Sequence, residues 1–120
     1  MKILIADDEP LIVELLSEYL TGAGHTVAAA YDAATLVEMA QADVPGLIFL
    51  DINMPGIRNA SASPQITIPH ALRQIPIVAI TGNERKTVYQ MGLPANIEVI
   101  QKPVEFAELE AAIKKFSEAV

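Results

Sequence analysis

Five short apolar runs recur along the chain, at residues 2–6, 26–30, 46–50, 76–80 and 97–101, and stretches with helical spacing separate them. Strands alternating with helices at this pitch imply βαβ units, which build a parallel sheet covered on both faces. The run GLIFL at 46–50 is the most continuously apolar, which marks it as the central strand. The way the runs stop carries the chemistry. Asp7 and Asp8 follow KILIA, Asp51 follows GLIFL, Thr81 follows IPIVAI, and Lys102 follows IEVIQ. In a parallel sheet these side chains gather at one edge, and open α/β sheets bind ligands beyond the carboxyl ends of their strands.

A chain of 120 residues suits one domain, 1–120, with a real core. Hydrophobic residues make up 52% and charged residues 19%, a balance that favours a packed interior over disorder. Cysteine is absent, which excludes disulfides and thiolate metal sites and fits a reducing cytosol. The opening MKILIADDEP breaks its apolar run with acids, and no run approaches membrane-spanning length, so the expectation is a soluble, cytoplasmic protein. A net charge of −7 argues against direct binding to nucleic acid, whose affinity depends on Lys and Arg neutralising phosphates.

The first helix starts at Pro10, which suits a first turn, carries an apolar stripe of Leu11, Ile12, Leu15, Leu16, Tyr19 and Leu20, and ends at Gly22 or Gly24. The second has Asp32 as N-cap, buries Leu36, Val37 and Met39 or Ala40, and stops before Pro45. The last runs from about Val104 to Ser117 with Phe106, Leu109, Ile113 and Phe116 inward. The third slot is irregular. Pro64 and Pro69 interrupt it, so a loop and then a short helix near His70–Gln74 are expected. A fourth helix, ending before Gly92, occupies the stretch from Asn83 to Asn96.

Three carboxylates at one sheet edge repel one another unless a cation lies between them. A divalent ion with oxygen ligands answers that need, and Mg²⁺ is the expected one: Asp8 binds it directly, Asp7 helps through water, Asp51 contributes a carboxylate, and the backbone carbonyl of Asn53 completes the protein ligands. A carboxylate beside a metal can also attack phosphorus, which makes Asp51 the expected nucleophile and phospho-acceptor. Lys102 offers fixed positive charge to phosphoryl oxygens and Thr81 a hydroxyl donor. Taken singly, an Asp after a strand is more often a cap or turn former, Thr81-Gly82-Asn83 a plain turn, and Lys102-Pro103 a solvated loop. The ordered occurrence of all of them is what favours a site.

The segments IADDEP and LIFLDINMPG, Thr81-Gly82 after IPIVAI, and Lys102-Pro103 resemble the motifs of the receiver domain of bacterial two-component response regulators, over essentially the whole chain. The resemblance implies a flavodoxin-like (βα)5 fold, a doubly wound five-stranded parallel sheet, here with an irregular third helix region. It also implies phosphorylation of Asp51 by a histidine kinase or histidine phosphotransfer protein, with Asp7, Asp8 and the Asn53 carbonyl holding Mg²⁺ and Thr81 and Lys102 contacting the phosphoryl group. The output is then control of binding to a downstream protein target that the sequence does not identify. A stand-alone chemotaxis-type regulator, a phosphorelay intermediate and a domain excised from a longer chain all fit, as a monomer or a weak homodimer. Beyond self-phosphorylation from a phosphodonor and self-dephosphorylation, no enzyme activity is expected.

Three features depart from the family pattern; one is the short stretch Asn83 to Asn96 with its Met91-Gly92-Leu93-Pro94, and the other two bear on function. Val99 stands three positions before the lysine, where the family has an aromatic residue or histidine that moves inward on activation, and residues 57–74 replace a regular helix. They support one alternative, a phosphorylation-independent binding module of the same fold. A second alternative, an aspartyl-phosphate phosphatase of the haloacid dehalogenase type, needs a general acid two residues after the nucleophile. That position holds Asn53.

Overall fold

The computed structural model describes residues 1–58 and 65–118. Five strands, β1 (Lys2–Ala6), β2 (Thr26–Ala30), β3 (Leu47–Asp51), β4 (Ile77–Thr81) and β5 (Glu98–Gln101), pair in parallel in the order β2-β1-β3-β4-β5. Among the described residues there are four α-helices, α1 (Pro10–Gly22), α2 (Ala33–Ala42), α3 (Arg85–Gln90) and α4 (Phe106–Glu118), and one 3₁₀ turn at His70–Leu72. This is the flavodoxin-like doubly wound sheet. GLIFL is central as expected, and every residue of β3 is buried. The strand order reverses between β1 and β3, so a crevice opens beyond their carboxyl ends.

Alternation along the strands splits the core in two. Ile3, Ile5, Leu47, Phe49, Val78, Ile80 and Ile100 face α1 and α4, where Val13, Leu16, Leu20, Leu109 and Ile113 close over them. Leu4, Ile48, Leu50, Ala79 and Val99 face α2, the 3₁₀ turn and α3. Full burial of a Leu, Ile or Phe side chain contributes about 1.5–3 kcal/mol before entropy is counted, so β3 alone anchors much of the fold.

The α1 stripe is corrected by the structure. The helix buries Val13, Leu16 and Leu20 with Ile12 and Tyr19 packed beside them, while Leu11 is 80% and Leu15 52% exposed. In α2, Asp32 caps as expected by accepting from Thr35 N at 2.7 Å, and Ala33, Leu36 and Ala40 are the buried residues. The final helix begins at Phe106 rather than at Val104, and Phe106 stacks on Tyr19 of α1 with ring centroids 3.9 Å apart.

The third slot holds no α-helix among the described residues. Pro64 lies outside them. The expected short helix at His70–Gln74 is a single 3₁₀ turn, His70–Leu72. Before it, Arg58 and Ile66 form an antiparallel bridge, Thr67 N donates to the Ile57 carbonyl at 2.8 Å, and Ile66 N donates to the Met91 carbonyl at 2.8 Å. Ile66, Ile68 and Leu72 are all buried in the core a helix would otherwise fill. This strap joins the turn after β3 to the end of α3, which stops at Gln90, before Gly92 as expected.

Two carbonyls on the outer edge of β5 are engaged by side chains. Lys102 N donates to the Thr81 carbonyl at 2.7 Å, so alternate residues of β5 bond to β4 and the carbonyls of Ile97 and Val99 fall on the free side. Tyr89 donates its hydroxyl to the Ile97 carbonyl, and Arg85 Nη2 donates to the Val99 carbonyl at 3.2 Å. The two donors are one turn apart on α3, a rise of about 6 Å, which matches about 6.6 Å between alternate strand residues.

Candidate phospho-acceptor site

Asp51 is the last residue of β3 and Asp7 the first beyond β1, so the crevice between these strands receives both side chains. Each is only 2% exposed, whereas Asp8 and Glu9, on the loop into α1, are exposed. One carboxylate oxygen from each of Asp7, Asp8, Glu9 and Asp51 can be chosen so that all four lie within 4.8 Å of one another.

Two tight turns fix the buried pair. Asn53 N donates to Asp51 Oδ1 at 2.9 Å, and Glu9 N donates to Asp7 Oδ1 at 2.9 Å. Their other oxygens face Lys102, whose Nζ is 3.4 Å from Asp7 Oδ2 and 3.7 Å from Asp51 Oδ2. Glu9 Oε1 is 3.3 Å from the same ammonium. Lys102 enters from the end of β5 ahead of Pro103, through a cis peptide bond.

The electrostatics follow from burial and these neighbours. Burial pushes the Asp51 carboxyl up to about 6; the Asn53 N–H bond and Lys102 pull down against it, while the charge of Asp7 adds to the rise. For Lys102, burial works against the charged form but is outweighed by Asp51, Asp7 and Glu9, so its pKa is raised and it stays cationic. One lysine thus faces three acids, Asp7, Glu9 and Asp51, with Asp8 a fourth in the same cluster. The donor set is oxygen only, which suits a hard divalent cation such as Mg²⁺ and not a soft one.

The expected site residues do not all play alike in this arrangement. Asp7, Asp8, Asp51 and Lys102 come together. Asn53 is exposed on the turn after β3, and its side-chain Oδ1 accepts from Arg58 Nη1 at 2.9 Å. Thr81 ends β4 fully buried, and its hydroxyl is engaged with Asn83: it donates to Oδ1 at 3.2 Å and accepts from Asn83 N at 3.0 Å. Val99 lies buried on the α2 and α3 side. The sequence reading passed over Glu9, although it is the third acid of a DDE run, and Arg58, for which no strand-end signal exists. A cavity of about 490 Å³ lined by Ile68, Arg73, Pro76, Ile97 and Phe116 lies near the opposite ends of β4 and β5 and shares no residue with the acidic crevice.

Residues 3–114 match the family described as the response regulator receiver domain. The response regulator PleD of Caulobacter vibrioides is 30% identical over 117 residues, 97% of this chain, and TorR, the TorCAD operon transcriptional regulatory protein of Escherichia coli, is 31% identical over 116 residues, 93% of this chain. The chain spans 26% of PleD and 48% of TorR. Protein PilH of Pseudomonas aeruginosa is 31% identical over 86 residues, 72% of this chain and 71% of PilH. Among solved structures, chemotaxis protein CheY4 of Vibrio cholerae superposes with a TM-score of 0.77 at 23% identity, covering 96% of this chain and 97% of that one, which shows a shared fold. With its motif residues gathered at the carboxyl edge of such a sheet, the chain belongs to the response regulator receiver domain family.

Proposed function

We propose that this domain accepts a phosphoryl group on Asp51 in a Mg²⁺-dependent reaction, from a histidine kinase or histidine phosphotransfer protein, and that the modification controls binding to a downstream protein. The observation that carries this reading is a buried acceptor carboxylate facing a lysine and within reach of three further acids. When bound among Asp7, Asp8, Asp51 and the Asn53 carbonyl, Mg²⁺ would neutralise charge on the incoming phosphoryl oxygens.

The protein's own part is positioning. The Asn53 N–H engages Asp51 Oδ1, which leaves Oδ2 as the attacking atom on the side of Lys102. As the new O–P bond forms, the bond from phosphorus to the donor breaks, and the donor leaves with its electron pair. Lys102 exchanges carboxylate partners for phosphoryl oxygens, and Thr81 can donate to one of them once its proton leaves Asn83. Hydrolysis of the acyl phosphate restores Asp51, so the domain turns over its own label and no other substrate. The test is incubation with acetyl phosphate and Mg²⁺, followed by intact mass. Gain of one phosphoryl group by the wild type and none by Asp51→Asn is expected; an unlabelled wild type would identify a phosphorylation-independent module, and sustained release of phosphate over many turnovers a phosphatase.

A further inference from the structure

Arg58 is a charged residue against the acceptor turn that the reaction leaves unused. It follows Asp51 by seven residues, and its guanidinium is paired with no carboxylate among the described residues of a protein with net charge −7. Its Nη1 donates instead to a neutral acceptor, Asn53 Oδ1, at 2.9 Å, while its Nε is buried with no hydrogen-bond partner. The backbone holds it there: Arg58 is bridged to Ile66, and Thr67 N donates to the Ile57 carbonyl. The acceptor turn, the Asn53 side chain and the strap are thereby linked in one chain of contacts. Asn53 N is on Asp51 Oδ1, and Asn53 Oδ1 is under Arg58.

Hydrolysis of an aspartyl phosphate requires water oxygen to attack phosphorus as the bond to the Asp51 oxygen breaks, with the proton passing to phosphate or bulk water. A side-chain oxygen at the mouth of the site that accepts a hydrogen bond from that water would orient it and speed the step. Asn53 carries such an oxygen, exposed and two residues from the acceptor, and Arg58 occupies it. We propose that Arg58 is a positioning residue that holds the Asn53 side-chain oxygen away from water and so prolongs the phosphorylated state. The inference rests on Asp51 as acceptor and concerns only how long the label lasts.

The experiment follows decay of the phosphoryl label on wild type, Arg58→Ala, Arg58→Lys, Asn53→Ala and the Arg58→Ala/Asn53→Ala double variant, after loading with acetyl phosphate and Mg²⁺. Loss of one hydrogen bond of ordinary strength corresponds to a change of about fivefold, so Arg58→Ala should shorten the half-life by about that factor. Arg58→Lys, which keeps a donor, should recover most of it. In the Asn53→Ala background the Arg58 substitution should have no further effect, because the oxygen it guards is gone. A half-life in Arg58→Ala equal to or longer than wild type, no recovery with lysine, or an equal acceleration in both backgrounds overturns the role of Arg58. A wild type that takes no label overturns the acceptor reading as well, so the two failures are told apart by the first measurement.

Discussion

Burial raises the Asp51 carboxyl from 3.8 to about 6, and in the metal-free protein this makes folding sensitive to pH. Because the folded state holds this proton more tightly, its contribution to stability is fully present below the unfolded value of 3.8 and is lost as pH rises through about 6. A shift of this size corresponds to on the order of 2–3 kcal/mol. Unfolding free energies from urea titrations without Mg²⁺ should fall between pH 4 and pH 7 by an amount of that order. Asp51→Asn should remove most of this decline and stabilise the apo protein at pH 7 by about 1 kcal/mol or more, since the repulsion with Asp7 goes with the charge. A mutant as pH-sensitive as wild type would assign the effect to another group. Asp7, Asp8, Asp51, Thr81 and Lys102 were legible in the sequence because each terminates an apolar run, and the end of a parallel strand has a fixed place in the fold. Arg58 was not legible, because a contact with Asn53 five residues back on an irregular turn follows no strand-end or helical pattern.

The turn after β3 connects Asp51 to α2, and Gly56 is a tight point of that contact. Its φ is +90°, and a Cβ there would fall 2.6 Å from the Ala33 Cβ, while Ala33 N donates to the Pro55 carbonyl at 3.1 Å. Gly56→Ala should therefore cost about 1–3 kcal/mol, read as a lower urea midpoint, and a neutral outcome would mean that the turn has room to shift. The inner strands and the second helix followed from the sequence because burial on both sheet faces leaves uninterrupted apolar runs in β3 and β4, and Asp32 is a well-defined cap. The inward face of α1 did not follow. Leu11, Ile12, Val13, Leu15, Leu16, Tyr19 and Leu20 wrap more than half the helix, so periodicity alone does not choose between the Leu11 side and the Val13 side. The strap was legible only as an interruption, since the pairing of Arg58 with Ile66 leaves no local pattern. With Val99 short and stiff at χ1, the response to a beryllofluoride phosphoryl mimic is expected in this strap and in 81–92. Amide shifts confined to 97–103 and α4 would show that the usual route survives without an aromatic residue.

For the molecule as a whole, four acids against one lysine make the crevice the place where a divalent cation has most to offer. Mg²⁺ at ten times its dissociation constant should stabilise the fold by about 1.4 kcal/mol, seen as a higher melting temperature, and Asp8→Ala should lose most of that response. An unchanged response in Asp8→Ala would remove Asp8 from the ligand set. No helix of the described residues is long and apolar enough to cross a membrane, and the large apolar fraction is spent on the two layers of core. That same apolar sheet has a flank at β5 where Arg85 and Tyr89 occupy two of the outward carbonyls, those of Val99 and Ile97. A strand from another molecule adds to a sheet by donating to carbonyls of this kind, and here they are already answered by side chains that cannot propagate a ladder. The sheet is thereby a partly blocked template. Replacing both donors, Arg85→Ala with Tyr89→Phe, should turn it into a growing one, and sedimentation at rising concentration would register the difference as strand-to-strand association that the wild-type flank does not support.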